Sequence, residues 1–121
     1  MSAAILALAA IGLSVAAQFM LKAGMSSPYV MAALHRPFDL QMPVRILTNG
    51  FVLGGLVLYG TGALAWLGVL ARWDVSKAYP LVGLGFALTA LIGVLFGEHV
   101  TALRVTGIAL ICAGVFLVAK S

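Results

Sequence analysis

Four long apolar runs constrain this chain more than any motif in it. A helix that crosses the hydrocarbon core of a bilayer needs about 20 mostly apolar residues. Such runs extend from about Ala3 to Gly24, Asn49 to Ala71, Ala78 to Gly97 and Thr101 to Ala119. Charge is scarce: in 121 residues, Lys and Arg number 7 and Asp and Glu 3. The apolar share is 64%, against roughly 45–50% for a soluble domain. A soluble fold of this size leaves too much surface in water to hide that much apolar area. The composition excludes a soluble enzyme, a nucleic-acid binder and a disordered tail. It predicts an integral membrane protein with membrane lipids among its partners.

The expected fold class is an all-α membrane protein. It is a four-transmembrane-helix bundle, one domain over residues 1–121, with a long first connection that can hold a short interfacial helix. Arg72–Lys77 and Glu98–Val100 are tight connections, which make successive helices antiparallel neighbours. The long connection runs from about Met25 to Thr48. Ser27 and Pro28 read as N-cap and first helical residue, and Pro37 ends that piece. A short interfacial helix is expected there, with Tyr29, Val30, Ala33 and Leu34 towards lipid or protein; a plain loop is the alternative. Pro43 can open a second helical start, so the helix of span two is expected to protrude from the membrane. Ser14–Ala17 offers a small-residue cleavage site before Gln18. No basic residue precedes that apolar run, as a signal peptide requires, so span one is expected to be retained.

The net charge is +4, but the basic residues form no patch with interleaved aromatics. They sit at the ends of apolar runs, as interfacial anchors do. The side of the termini and second connection carries Arg72, Lys77 and Lys120; the other carries Lys22, Arg36, Arg45 and Arg104. This balance fixes no orientation, and dual topology would permit an antiparallel pair of identical chains. Cys112 lies in an apolar run as a small packing residue, and a single cysteine excludes an internal disulfide.

Span one carries Ser14, Gln18 and Lys22 at four-residue intervals, and so on one helical face. Such a stripe should face protein or water rather than lipid. It could bind a polar head group, with Lys22 reaching a phosphate. Alternatively, Ser14 and Gln18 bond to neighbouring helices while Lys22 snorkels. Tyr59 and Trp66 are seven residues apart, so they could wall a cavity, although Trp66 could equally join an interfacial belt with Trp73. Gly50 and Gly54 form a GxxxG with Gly55, Gly60 and Gly62 nearby, which predicts close helix packing. Ser76 can cap span three, and Pro80 would cost little in its first turn. Tyr79 is placed to meet a substrate near the membrane edge. Gly85, Thr89, Gly93 and Gly97 form a small-residue ridge. Glu98 is expected to pair with Arg104 or to cap span four. No carboxylate falls in mid-span for proton-driven exchange. His35 and His99 lack metal-ligand spacing, and no nucleophile–base, P-loop or dinucleotide motif is present. Neither enzyme activity, a cofactor nor a metal is expected.

These residues resemble a known family. Ala78-Tyr79-Pro80-Leu81 through Gly97-Glu98, then Gly107 to Val115, is similar to small members of the drug/metabolite transporter superfamily. These include EamA-type and small multidrug resistance proteins, whose endings resemble Leu110-Ile111-Cys112-Ala113-Gly114-Val115. Leu13 to Gln18 with Lys22, and Leu64-Ala65-Trp66-Leu67 to Ala78-Tyr79-Pro80, look more like subunits of the aminoarabinose–undecaprenyl phosphate flippase. The resemblance covers all four spans but not the long connection. Small multidrug exporters carry a glutamate in mid-span one, where this chain has Ser14. The flippase-like members lack it too and carry Ser and Gln in this stretch.

The resemblance thus implies a flippase in the bacterial inner membrane that moves a polyprenyl-phosphate-linked sugar or a similar anionic amphipathic lipid. The alternatives are an exporter of small amphipathic metabolites or cationic drugs and a non-transporting accessory subunit. The expected substrate-binding residues are Ser14, Gln18, Lys22, Tyr59, Trp66, Tyr79 and Arg104, with Lys22 and Arg104 for a phosphate. The family further implies a homodimer, or a heterodimer with a similar four-helix chain. Gly107 and Gly114, seven residues apart, match a contact face on span four.

Overall fold

Three of the four spans start where a polar side chain takes up backbone N–H groups that the first helical turn leaves free. In the computed structural model, which describes residues 2–121, the Ser2 hydroxyl accepts from the Ile5 N–H at 3.2 Å and opens α1 (Ala3–Met25). Ser27 caps α2 (Pro28–Leu34) in the same way. The Asp39 carboxylate accepts from the N–H groups of Gln41 and Met42, both at 3.0 Å, ahead of α3 (Gln41–Leu47). Asn49 accepts from Phe51 and Val52 and starts α4 (Gly50–Leu70). Its amide nitrogen donates to the Ser27 hydroxyl at 3.2 Å, tying the start of α2 to the start of α4. Thr101 accepts from the Arg104 N–H and opens α7 (Ala102–Lys120). The chain is 82% helical with no strand among the described residues, an all-α bundle with four helices able to cross a membrane.

The third span is built differently. Asp74 is its N-cap, and it runs through α5 (Val75–Ala78), a 3-10 turn (Tyr79–Val82) and α6 (Gly83–Leu95). Ser76 therefore lies inside α5 and does not cap the span. Pro80 comes two residues deeper than expected, beyond the first turn, where its missing N–H leaves the Ser76 carbonyl without an α-helical donor and the chain tightens into 3-10 geometry. The expected protrusion of span two is also corrected. Pro43 belongs to the separate helix α3, and the Asn49 cap starts α4 afresh. Within α2, Val30 and Ala33 are buried, whereas Tyr29 and Leu34 face outward.

Small residues set the packing. Helices α1 and α4 run antiparallel and in contact over most of their length. A Cβ at Gly62 would lie 3.2 Å from the Ala10 carbonyl oxygen, and one at Gly55 3.1 Å from that of Ala17. Ala7, Ala10 and Ala17 are buried on the facing side of α1. Gly54 meets Met20, but Gly50 and Gly60 face open space, so the close approach runs through Gly55 and Gly62 rather than through the GxxxG pair.

Helix α6 leans on α1 at Gly85 and on α7 at Gly83. Gly97 does not continue the ridge of α6. It has φ 86° and closes the helix as the glycine just after the C-cap Phe96, with the Glu98 N–H donating to the Gly93 carbonyl at 2.8 Å and the Gly97 N–H to that of Val94 at 3.1 Å. Helix α7 buries only Val115 and turns Leu103, Leu110 and Leu117 outward. In water this would be a large apolar patch; in a bilayer it is free to meet hydrocarbon or another apolar helix.

Candidate functional site

Both α4 and the third span rest on α1, while α4 and α6 barely meet. A cleft opens between them with α1 as its floor. Its inner part is a cavity of about 560 Å³. Ser14 and Gln18 form the polar part of the floor, Tyr59, Gly62 and Trp66 one wall, and Tyr79, Gly85, Phe86 and Thr89 the other. A second cavity of about 410 Å³ lies at the C-terminal end of α1, lined by Gln18, Phe19, Lys22, Thr89, Glu98, His99 and Arg104. Gln18 and Thr89 line both, so the two read as one path. At 1.5 Å rise per residue, each step from Ser14 to Gln18 to Lys22 advances about 6 Å along it.

The seven residues expected from the sequence to bind substrate all line this path. Ser14, Gln18, Tyr59, Trp66 and Tyr79 border the inner cavity, and Lys22 and Arg104 the outer one. Ser14 is half-buried; Gln18, Lys22 and Arg104 are exposed. Trp66 also packs beside the buried cluster of Ala7, Val69 and Ala78 with Trp73, so it is a cavity wall and a packing residue at once. The 3-10 turn presents Tyr79, and the Gly62–Ala10 contact brings the α4 wall close to the floor. Gly107 and Gly114 lie elsewhere, on the open side of α7, with no heavy atom within 4 Å of a Cβ at either position.

The outer cavity differs from expectation at Glu98. Thr101 caps α7, so Glu98 does not. The Arg104 guanidinium donates to the His99 carbonyl at 3.2 Å. The Glu98 carboxylate folds back over α6, where a Cβ at Gly93 would lie 3.0 Å from Oε1. Beside it the Phe19 and Phe96 rings pack with centroids 5.6 Å apart. At the opposite end of the bundle, Lys77 lies 4.9 Å from the Trp73 ring and Lys120 5.1 Å from the Phe116 ring. These are the anchoring contacts of interfacial lysines. Among the described residues, no group of three or more His, Cys, Asp or Glu is placed to hold a metal ion.

Thr89 is the residue that sequence reasoning undervalues: its spacing places it in a glycine ridge, yet it borders both cavities. Its signal was that it is the one polar side chain in α6. Phe19, Glu98 and His99 were likewise not assigned to the site. Chemically, the path joins apolar walls to a polar floor and ends among two cations and one carboxylate. It suits an amphipathic molecule with a charged head.

The fold and cleft define a small four-span membrane protein organised around a polar path along its first helix. At 34% identity, 115 residues, 93% of this chain, align with 86% of a Sodalis glossinidius protein named as a probable 4-amino-4-deoxy-L-arabinose-phosphoundecaprenol flippase subunit ArnF. A Pseudomonas savastanoi protein named as the corresponding probable subunit ArnE is 52% identical over 58 residues, 47% of this chain and 51% of that one. A Pectobacterium atrosepticum ArnE is 39% identical over 72 residues, 59% of this chain and 64% of that one. No family model matches the chain, and no solved structure does. The chain belongs to the family of these flippase subunits and is a multi-pass protein of the bacterial inner membrane.

Proposed function

We propose that this chain is a flippase subunit that carries a polyprenyl-phosphate-linked aminosugar across the inner membrane. The observation that carries this reading is the polar path from Ser14 through Gln18 to Lys22 and Arg104, which runs from the cleft between α4 and α6 into a cavity bordered by α1, α6, the turn after it and the start of α7. The head group travels along the path while the polyprenyl tail leaves the cleft sideways into lipid. Lys22 and Arg104 hold the phosphate by charge-assisted hydrogen bonds. The side chains of Ser14, Gln18, Tyr59, Tyr79 and Thr89 take the sugar hydroxyls, and the indole of Trp66 offers a flat apolar face. The relatives are named as subunits, which supports assembly with a second four-helix chain. The exposed glycines Gly107 and Gly114 give α7 the flat face such a contact uses.

The test is affinity for undecaprenyl-phosphate-linked 4-amino-4-deoxy-L-arabinose in nanodiscs. Losing one charge-assisted phosphate contact removes about 1.5–3 kcal/mol. Lys22→Gln should therefore weaken binding roughly ten- to a hundredfold. Lys120→Gln, at the far end, should leave it unchanged, and Gln18→Leu should cost less than Lys22→Gln because a neutral hydrogen bond is weaker. Equal affinities for Lys22→Gln and the unaltered chain would contradict the reading.

A further inference from the structure

The Glu98 carboxylate has no structural work left for it among the described residues. The turn after α6 is held by its backbone N–H, which bonds to the Gly93 carbonyl at 2.8 Å. Thr101 caps the next helix, and Arg104 bonds to the His99 backbone. Neither the carboxylate nor the Lys22 ammonium makes a hydrogen bond or ion pair among the described residues. Yet both line the same 410 Å³ cavity together with Arg104. Opposite charges that border one cavity without neutralising each other suit a ligand carrying both signs. Gly93 contributes by its lack of a side chain: a Cβ there would meet both carboxylate oxygens, at 3.0 and 3.3 Å.

We propose that Glu98 is the specificity residue for the ammonium group of a zwitterionic lipid head. In this arrangement Lys22 and Arg104 take the phosphate while Glu98 takes a protonated amine on the sugar. This rests on the flippase reading above and adds to it the feature that separates an aminosugar lipid from a neutral-sugar lipid. The cavity is of a size to hold one such head, since small-ligand sites run from about 300 to 1,000 Å³. A carboxylate here adds selectivity more than raw affinity. A neutral head would leave Glu98 without a partner beside the bound phosphate, and an unpaired charge penalises the wrong ligand.

The experiment compares two lipids on the full chain in nanodiscs: the undecaprenyl-phosphate-linked 4-amino-4-deoxy-L-arabinose and its N-acetyl derivative, which keeps the phosphate and loses the positive charge. The readout is the ratio of their affinities. The unaltered chain should prefer the amine lipid by about tenfold, the scale of one charge-assisted contact at an exposed site. Glu98→Gln should bring the ratio to about one by weakening only the amine lipid, and Glu98→Asp should keep the preference. If the Gln variant folds poorly, the Asp variant and the unaltered chain still supply the ratio. No preference in the unaltered chain, or a preference that survives Glu98→Gln, would overturn the assignment of Glu98 alone. Binding of neither lipid, or binding of both that ignores Lys22→Gln, would overturn the flippase reading and this site with it.

Discussion

Gly62 and Gly97 both lack a side chain, for different physical reasons. Gly62 lets α4 approach the backbone of α1, where a Cβ would stand 3.2 Å from the Ala10 carbonyl oxygen and 3.3 Å from the Leu13 Cβ. Gly97 has open space around it, but its φ of 86° is a conformation that costs an L-residue about 1–2 kcal/mol. Gly62→Leu should destabilise the fold by roughly 1–3 kcal/mol through overpacking, whereas Gly60→Leu, on an open face, should stay within about 0.5 kcal/mol. Gly97→Ala should cost about 1–2 kcal/mol despite the empty space. Thermal unfolding in detergent checks all three. A Gly62→Leu variant as stable as Gly60→Leu would contradict the close α1–α4 contact.

The third span shows what a single residue does to a whole element. Pro80 splits it into α5, a 3-10 turn and α6, and the turn carries Tyr79 to the inner cavity. Pro80→Ala should restore the helical bond to the Ser76 carbonyl and stabilise the span by up to about 3 kcal/mol. The same change should rotate Tyr79 off the cavity and weaken lipid binding. Unfolding temperature and nanodisc affinity should therefore move in opposite directions; a parallel rise would show that the turn does not serve the site. Much at this scale was legible in the sequence. The apolar runs that begin at about Asn49 and Thr101 match the starts of α4 and α7, although Thr101 rather than Glu98 caps the latter, and the four-residue spacing of Ser14, Gln18 and Lys22 places them along one path. The depth of Pro80 was not legible, because Asp74 and Ser76 are both able caps two residues apart and the choice shifts the helix start by half a turn. Nor was the choice of Gly55 and Gly62 over Gly50. A helix that is apolar on every side carries no pattern telling which face meets protein and which meets lipid. Adjacency in sequence points to Arg104 as the partner of Glu98, whereas the turn at Gly97 folds Glu98 back over Gly93 and Arg104 bonds to the His99 carbonyl.

The whole molecule is two helix contacts of unequal closeness. Helix α1 locks to α4 through backbone-to-glycine packing, while α6 leans on α1 more loosely and carries α7 on its other side, and the cleft opens along that looser side. Helix α7 buries a single residue, so it has a face to offer a second chain. Single cysteines at Gly107 or Gly114 should cross-link to a second four-helix chain in membranes, whereas one at Leu53 on the outer side of α4 should not. Monomers under all membrane conditions would contradict pairing through α7. The central claim is that the path along α1 holds the head of a lipid-linked aminosugar. It is tested most directly by determining the structure in nanodiscs saturated with undecaprenyl-phosphate-linked 4-amino-4-deoxy-L-arabinose. The expected result is phosphate density between Lys22 and Arg104, with the sugar towards Gln18 and Thr89 and the tail leaving between α4 and α6. Head-group density on the outer face of the bundle, or an empty cleft at saturating lipid, would contradict it.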